Sequence, residues 1–304
     1  VLLAARASVR LRDEAFGGTP LQVARIRCRD SEVVRLLAAA EPEEPAATEA
    51  ACAEPVASHL RVLAAAFGTA AVVGETGHYT EGHTVVGEED AREAFAAGCT
   101  LLYGELVPAS ASQLWAAMGL ASGAGEALVE LGMGIGKLAL QAFAELPQLK
   151  RVTGVELAPS RYRAGEAALL RLAGQMPERF RVAEQNPGTH ILIEECSSAP
   201  VRLLEFRRGD LLKVEPELLA LADAVLLQVC LPTLLHRAVC AKTREAKVGA
   251  KIFSFADLPA LWPEELGRCH LRRCAGADGS ASDACYQTSW SRGEGLAASC
   301  EQQT

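Results

Sequence analysis

The sequence predicts an α/β protein: an open, doubly wound sheet with helices on both faces, preceded by a small α-helical segment. Two observations in its 304 residues carry this reading. The first is one continuous stretch. Leu128-Val129-Glu130-Leu131 is a short apolar run suited to a buried strand, and Gly132, Gly134 and Gly136 follow at alternate positions, where a backbone turns sharply. Leu138 to Leu146 then has helical spacing and ends before Pro147. Val152 to Val155 is a second buried run, closed by the acid Glu156. A strand, a glycine turn, a helix and an acid-ended strand make the first half of a nucleotide-binding doubly wound sheet. The second observation is that helical and apolar segments go on alternating as far as residue 255, as βαβ units do.

In chain order, Gly18-Thr19-Pro20-Leu21-Gln22-Val23-Ala24 followed by Val33-Val34-Arg35-Leu36-Leu37 resembles an ankyrin repeat, and Val1 to Val9 resembles the tail of a preceding one. The departures are Gln22 for the usual His, Cys28 for a helix-breaking Gly, and one extra residue before Val33. One repeat cannot bury its own apolar face, so the segment implies upstream repeats or packing on the next domain. The chain opens on Val1 in mid-pattern, which points to a fragment or a processed chain. Residues 1–41 are therefore taken as ankyrin-like, 42–90 as an Ala/Glu/Pro-rich linker and loop, and 91–304 as the sheet domain.

Within the linker, His59 to Phe67 reads as a short helix and Gly74 to Gly87 as a loop. Asp90 to Ala97 is a helix leading into the sheet domain. After Glu156 the expected elements are a helix at Arg161–Leu172, a third strand at Arg202–Phe206, a helix at Pro216–Leu221 and a fourth strand at Ala224–Val229. A helix at Leu234–Lys242, a fifth strand at Ala250–Phe255 and a closing antiparallel pair at Thr288–Ser291 complete the sheet.

Composition narrows the partners. Half the residues are hydrophobic, enough for a sizeable core, and the formal net charge of −8 excludes the chain as a whole from polyanion binding. A nucleic-acid partner would need a local patch: Arg202, Arg207 and Arg208, or Arg268, Arg272 and Arg273, all read as solvated faces. The ten cysteines form no paired Cys-x-x-Cys ribbon. Cys269, His270, Cys274 and Cys285 fit no zinc spacing well, and His78 and His83 stand in a glycine-rich loop, so no metal is expected. No bilayer-length apolar stretch and no secretion signal are present, which predicts an intracellular protein without a membrane partner.

The glycine turn identifies the cofactor. A dinucleotide fingerprint reads Gly-x-Gly-x-x-Gly; here the spacing is Gly-x-Gly-x-Gly, led by Glu130. An acid there would repel a pyrophosphate but attract an ammonium group. The pattern resembles motif I of class I S-adenosylmethionine (SAM) methyltransferases. That implies SAM as cofactor, Glu130 beside its methionine ammonium, and Glu156 accepting both ribose hydroxyls. A structural glycine turn in another α/β enzyme and an NAD or FAD site are the alternatives.

Five separated pieces narrow it further: Tyr103-Gly104-Glu105, Glu130 to Gly136, Gly154-Val155-Glu156, Gly209-Asp210-Leu211-Leu212 and Ser289-Trp290-Ser291. Together they resemble the non-SET histone-lysine methyltransferases of the disruptor-of-telomeric-silencing family, over about residues 95 to 295. The resemblance implies a Rossmann-like class I methyltransferase sheet. Gly132, Met133, Gly134 and Gly136 would form the cofactor turn, Asp210 would take the adenine amino group, and Leu211 would lie against the ring. Tyr103 and Glu105 would belong to the loop closing over SAM. Gln228, at the end of the fourth strand, would orient the lysine amine, with Tyr103 lending a polar edge. The departures are Leu106 for Thr, Lys137 for Gln, and Gln228-Val229-Cys230 for Asn-Asn-Phe. By resemblance the substrate is a protein, a nucleosomal histone, which places the chain in the nucleus; otherwise it is cytoplasmic. The ankyrin segment would add a protein partner, and no sequence-specific nucleic-acid binding is implied. A class I methyltransferase for a small molecule or non-histone protein, and a non-catalytic ankyrin-bearing interaction protein, are the competing readings.

Overall fold

A computed structural model describes residues 57–69, 82, 85–123, 125–227, 229–230, 232–275 and 281–288. The ankyrin-like segment, His78, His83, Gln228 and Trp290 lie outside the described residues. The described residues from Ala57 onward form one compact unit. The reason is packing: helix α1 (Ser58–Phe67) buries Val62, Leu63 and Ala66 in the same core as the sheet.

Helices α2 (Glu88–Ala96) and α3 (Pro108–Ala117) lead to β1 (Ala127–Leu131), α4 (Lys137–Glu145), β2 (Arg151–Glu156) and α5 (Pro159–Gln175). An antiparallel hairpin, β3 (Phe180–Asn186) and β4 (His190–Glu195), comes before β5 (Arg202–Arg208). Then follow α6 (Pro216–Leu221), β6 (Ala224–Leu227), α7 (His236–Thr243), β7 (Lys251–Ser254), β8 (Leu271–Ala275) and β9 (Ala281–Thr288). The nine strands make one sheet in the order β3-β4-β5-β2-β1-β6-β7-β9-β8. Its centre, β5-β2-β1-β6-β7, is parallel, and antiparallel hairpins extend both ends.

The parallel strands are covered on both faces, as their near-continuous apolar runs require. One side buries Leu128, Trp115, Phe143, Tyr162 and Phe206 under α1, α3, α4 and α5. The other buries Val129, Leu131 and Ile252 with Leu219 of α6 and Val239 of α7. Each large apolar side chain so enclosed contributes about 1.5–3 kcal/mol. The expected α/β sheet with helices on both faces is therefore what the chain forms.

Several elements differ from the sequence reading. The hairpin β3–β4 and helix α3 were not expected, and β6 ends at Leu227, short of Val229; the closing antiparallel pair is β8 with β9, which includes Thr288, while 289–291 lie outside the described residues. Of the arginines read as solvated faces, Arg268, Arg272 and Arg273 are exposed, and four of the six make ion pairs. Arg202 is buried, pairs with Glu195 at 2.6 Å, and donates to the carbonyls of Leu149, Phe143 and Leu146. It thereby satisfies the carbonyls that the end of α4 leaves open. Arg207 pairs with Glu205 and Glu215, Arg208 with Glu93, and Arg273 with Asp257.

Candidate functional site

In this strand order β1 sends its chain one way to β2, and β6 lies on its other side. That is the switch point where open α/β sheets bind ligands, beyond the carboxyl ends of the strands. A cleft opens there, lined among others by Glu130, Gly132, Gly134, Glu156, Asp210 and Val229.

The turn after β1 is built by its glycines. Gly132 and Met133 donate N–H bonds of 2.9 and 3.0 Å to the carbonyl of Val155, stitching the turn to β2. Gly134 has φ +59° and a Cβ there would run into the Tyr103 ring, so no larger residue fits. Its N–H donates to Glu156 Oε2 at 2.8 Å, and Ala158 N–H donates to the other oxygen at 2.8 Å. The acid ending β2 is thus oriented by two backbone donors before any ligand arrives.

The carboxylates differ in character. Glu130 is 2 % exposed, and among the described residues its Oε2 has no hydrogen-bond partner. Burial pushes its pKa well above the ordinary carboxylate range, Glu156 adds to this, and the Ala139 N–H opposes it. Glu156 is also raised by burial, opposed by the N–H groups of Ala158 and Gly134 and by the charge of Arg161. Asp210 accepts the Leu212 N–H at 2.9 Å and stands 3.4 Å from Lys213 Nζ. One of its oxygens therefore caps the following turn, while the residue still lines the cleft beside Leu211.

Tyr103 packs against Gly134 of the glycine turn, and Glu105 lies beside it. Tyr103 donates its hydroxyl to Glu105 Oε1 at 2.5 Å, and Lys137 Nζ donates to the other oxygen at 2.7 Å. Gly136 is not among the residues lining the cleft: with φ +83° it starts α4, backed by the Phe206 ring. Met133 lines the cleft and also lays its side chain against Gly154 in the core. Gln228 is outside the described residues, though its neighbours Val229 and Cys230 line the cleft.

The structure adds residues that sequence reasoning missed. Asp90 is fully buried and accepts from Gly87 N–H at 2.7 Å and Ser160 N–H at 2.9 Å, joining the starts of α2 and α5. Burial pushes its pKa up, but these bonds outweigh it and leave it lowered. Arg161 is 5 % exposed and donates to the carbonyls of Gly82 at 3.0 Å and Leu101 at 2.6 Å. The available signal was a cation in the first turn of a helix, where the dipole favours acids. Among the described residues no three His, Cys, Asp or Glu side chains are grouped to hold a metal.

No protein-family model matches the chain, and no curated protein matches it. Among solved structures it is similar to Trm1 from Pyrococcus horikoshii in complex with S-adenosyl-L-methionine, at 12% identity and TM-score 0.36 over 49% of this chain. The chain spans 36% of that protein's length. It is also similar to a putative O-methyltransferase from Klebsiella pneumoniae (12% identity, TM-score 0.38) and to an O-methyltransferase from Bacillus cereus in complex with SAH (14%, TM-score 0.34). Each of these two matches covers 66% of this chain and 87% of the other. The strand order found here, parallel in the centre with a reversed strand beside β7, is that of a Rossmann-like α/β sheet.

Proposed function

We propose that the chain is a SAM-dependent methyltransferase. The observation that supports this most is the unpartnered, buried oxygen of Glu130 beside a glycine cradle, with Glu156 held ready across the turn. A buried carboxyl oxygen without a donor is costly in an isolated protein, and a cationic ligand group at that point removes the cost. A side-chain-free turn and a doubly oriented acid fit a nucleoside ligand.

When bound, SAM supplies a methyl group on a sulfonium, already a good leaving group, so strong acid or base catalysis is not required. The residues of this chain have the tasks of holding and orienting. Glu156 would accept the ribose hydroxyls, and Glu130 would face the ammonium of the methionine part. Asp210 and Leu211 would take the adenine edge and face. Tyr103 lies over Gly134 and closes the turn. Holding the acceptor and the methyl in line supplies most of the rate.

The acceptor we propose is a lysine amine of a protein, a nucleosomal histone. Its support is the resemblance, together with the seating of the Tyr103-Gly104-Glu105 segment against the glycine turn. Gln228, adjacent to Val229 in the sequence, would orient the amine lone pair, and apolar surroundings would favour the uncharged amine. An intracellular, nuclear location and a protein partner for the ankyrin-like segment belong to the same proposal.

Calorimetric titration of SAM tests the core of it. The expected result is micromolar binding to the wild-type protein and none to Glu156→Ala with an unchanged circular dichroism spectrum. A wild-type protein that takes up no SAM ends the methyltransferase reading. Labelled SAM incubated with nucleosomes, free histones and a cell extract tests the acceptor. Label entering only a small molecule or a non-histone protein removes the histone assignment.

A further inference from the structure

We infer that Arg161 is a positioning residue that docks the 101–105 segment on the cleft. The inference rests on the SAM reading and adds what holds that site closed.

Arg161 occupies the third position of α5, whose first turn contains no acid. A buried cation is electrostatically misplaced there, because helix N-termini carry partial positive charge. Its contacts show what keeps it. Nε donates to the Gly82 carbonyl at 3.0 Å, a second nitrogen donates to the Leu101 carbonyl at 2.6 Å, and the guanidinium plane lies 4.5 Å from the centre of the Tyr103 ring. A planar fork can reach two carbonyls and an aromatic face at once, and a lysine cannot. The same segment is held from the other side, where Tyr103 donates to Glu105 and Glu105 accepts from Lys137 at the start of α4. The segment is therefore tied to the two helices that follow β1 and β2.

The charge of Arg161 also acts on Glu156. Glu130 from β1, Asp90 from α2 and Cys99 upstream of the segment are the other titratable groups acting electrostatically there. Three of these four are acids or thiols, so Arg161 is the cation that favours ionised Glu156. Losing it lets burial push the acid further up.

Two substitutions separate the roles. Arg161→Gln loses fork and charge; Arg161→Lys keeps the charge and loses the fork. Binding of SAM and of S-adenosylhomocysteine is measured from pH 5 to 9, with amide exchange of residues 101–105. Arg161→Gln is expected to weaken binding about tenfold, and to move the acid-side loss of affinity to higher pH. Arg161→Lys is expected to bind weakly and to lose ligand-induced protection of 101–105, while keeping the wild-type pH profile. That split is not what general destabilisation would give. A folded Arg161→Gln that binds with wild-type affinity and pH profile overturns the inference, as does an Arg161→Lys protein with full protection. The lysine variant decides alone where the glutamine variant does not fold. A wild-type protein that binds neither ligand removes the cofactor reading and this inference with it, whereas normal wild-type binding with an indifferent Arg161→Gln removes the inference alone.

Discussion

Glu130 and Glu156 stand on neighbouring strands, and their surroundings set them apart. Glu156 has both oxygens engaged by backbone N–H groups, while Glu130 leaves Oε2 without a partner. A carboxyl whose folded pKa is raised contributes stability that is present below its unfolded pKa and lost as pH rises through the folded one. Glu130 is such a group, so it costs the empty protein stability at neutral and alkaline pH. Glu130→Gln should therefore raise the melting temperature by more at pH 8 than at pH 5, and weaken SAM binding about tenfold. Scanning calorimetry at both pH values and one titration check it; a variant that melts lower and binds normally would show that the acid serves structure. Both acids were legible in the sequence, since a glycine turn flanked by acids has few other uses. Asp90 and Arg161 were not. They reach the cleft across sequence distance, and their roles come from bonds to the backbone of Ser160, Gly82 and Leu101, which no local pattern encodes.

At the scale of elements, α4 shows how the site is held at its far end. It starts at the glycine turn and ends in carbonyls taken up by Arg202 from β5, which also binds Glu195 of β4. Arg202→Met would strand those carbonyls and leave Glu195 with Arg179 alone from this pair of cations. The expected loss is about 3–5 kcal/mol, on the order of 10 °C in Tm, with SAM affinity at low temperature nearly unchanged. Thermal unfolding measures this, and a drop within about 2 °C would contradict it. The sequence showed β1, α4, β2 and α5 because their burial repeats at strand or helix period. It hid β3, where six of seven residues are exposed, so no apolar alternation marks the strand. It hid α3 because Pro-Ala-Ser-Ala-Ser offers small residues without a clear stripe, although Ala111, Leu114 and Trp115 anchor it. The end of β6 differs because strand ends are set by pairing, here with the four residues of β7.

For the whole molecule, acid should be the destabilising direction, in two overlapping windows. Glu205 binds Arg151, Arg207 and His190; burial opposes its charge, but the arginine bonds win and bring its pKa down to about 2. Its folded pKa is depressed, so its contribution is present above the ordinary value of 4.5 and lost as pH falls towards about 2. His270 is driven down to about 4 by burial against an ordinary 6.5, so the neutral ring is favoured in the fold and stability falls between those values. In Glu130→Gln, which lacks the opposing slope given by that raised acid, urea midpoints should decline from about pH 6.5 downward. Glu205→Gln should flatten the lower part of that decline and His270→Phe the upper part; a midpoint that rises on acidification would contradict both assignments.

The two hairpins that lengthen the sheet also decide how it ends. The outermost strands expose Arg181 and Glu184 on β3 and Arg272 and Arg273 on β8, and both carry a register irregularity, between Val182 and Glu184 and between Arg273 and Ala275. Charged, kinked borders of this kind discourage a neighbouring molecule from adding its own strand. A nine-stranded array that could template fibril growth from either side is thereby kept from recruiting further chains.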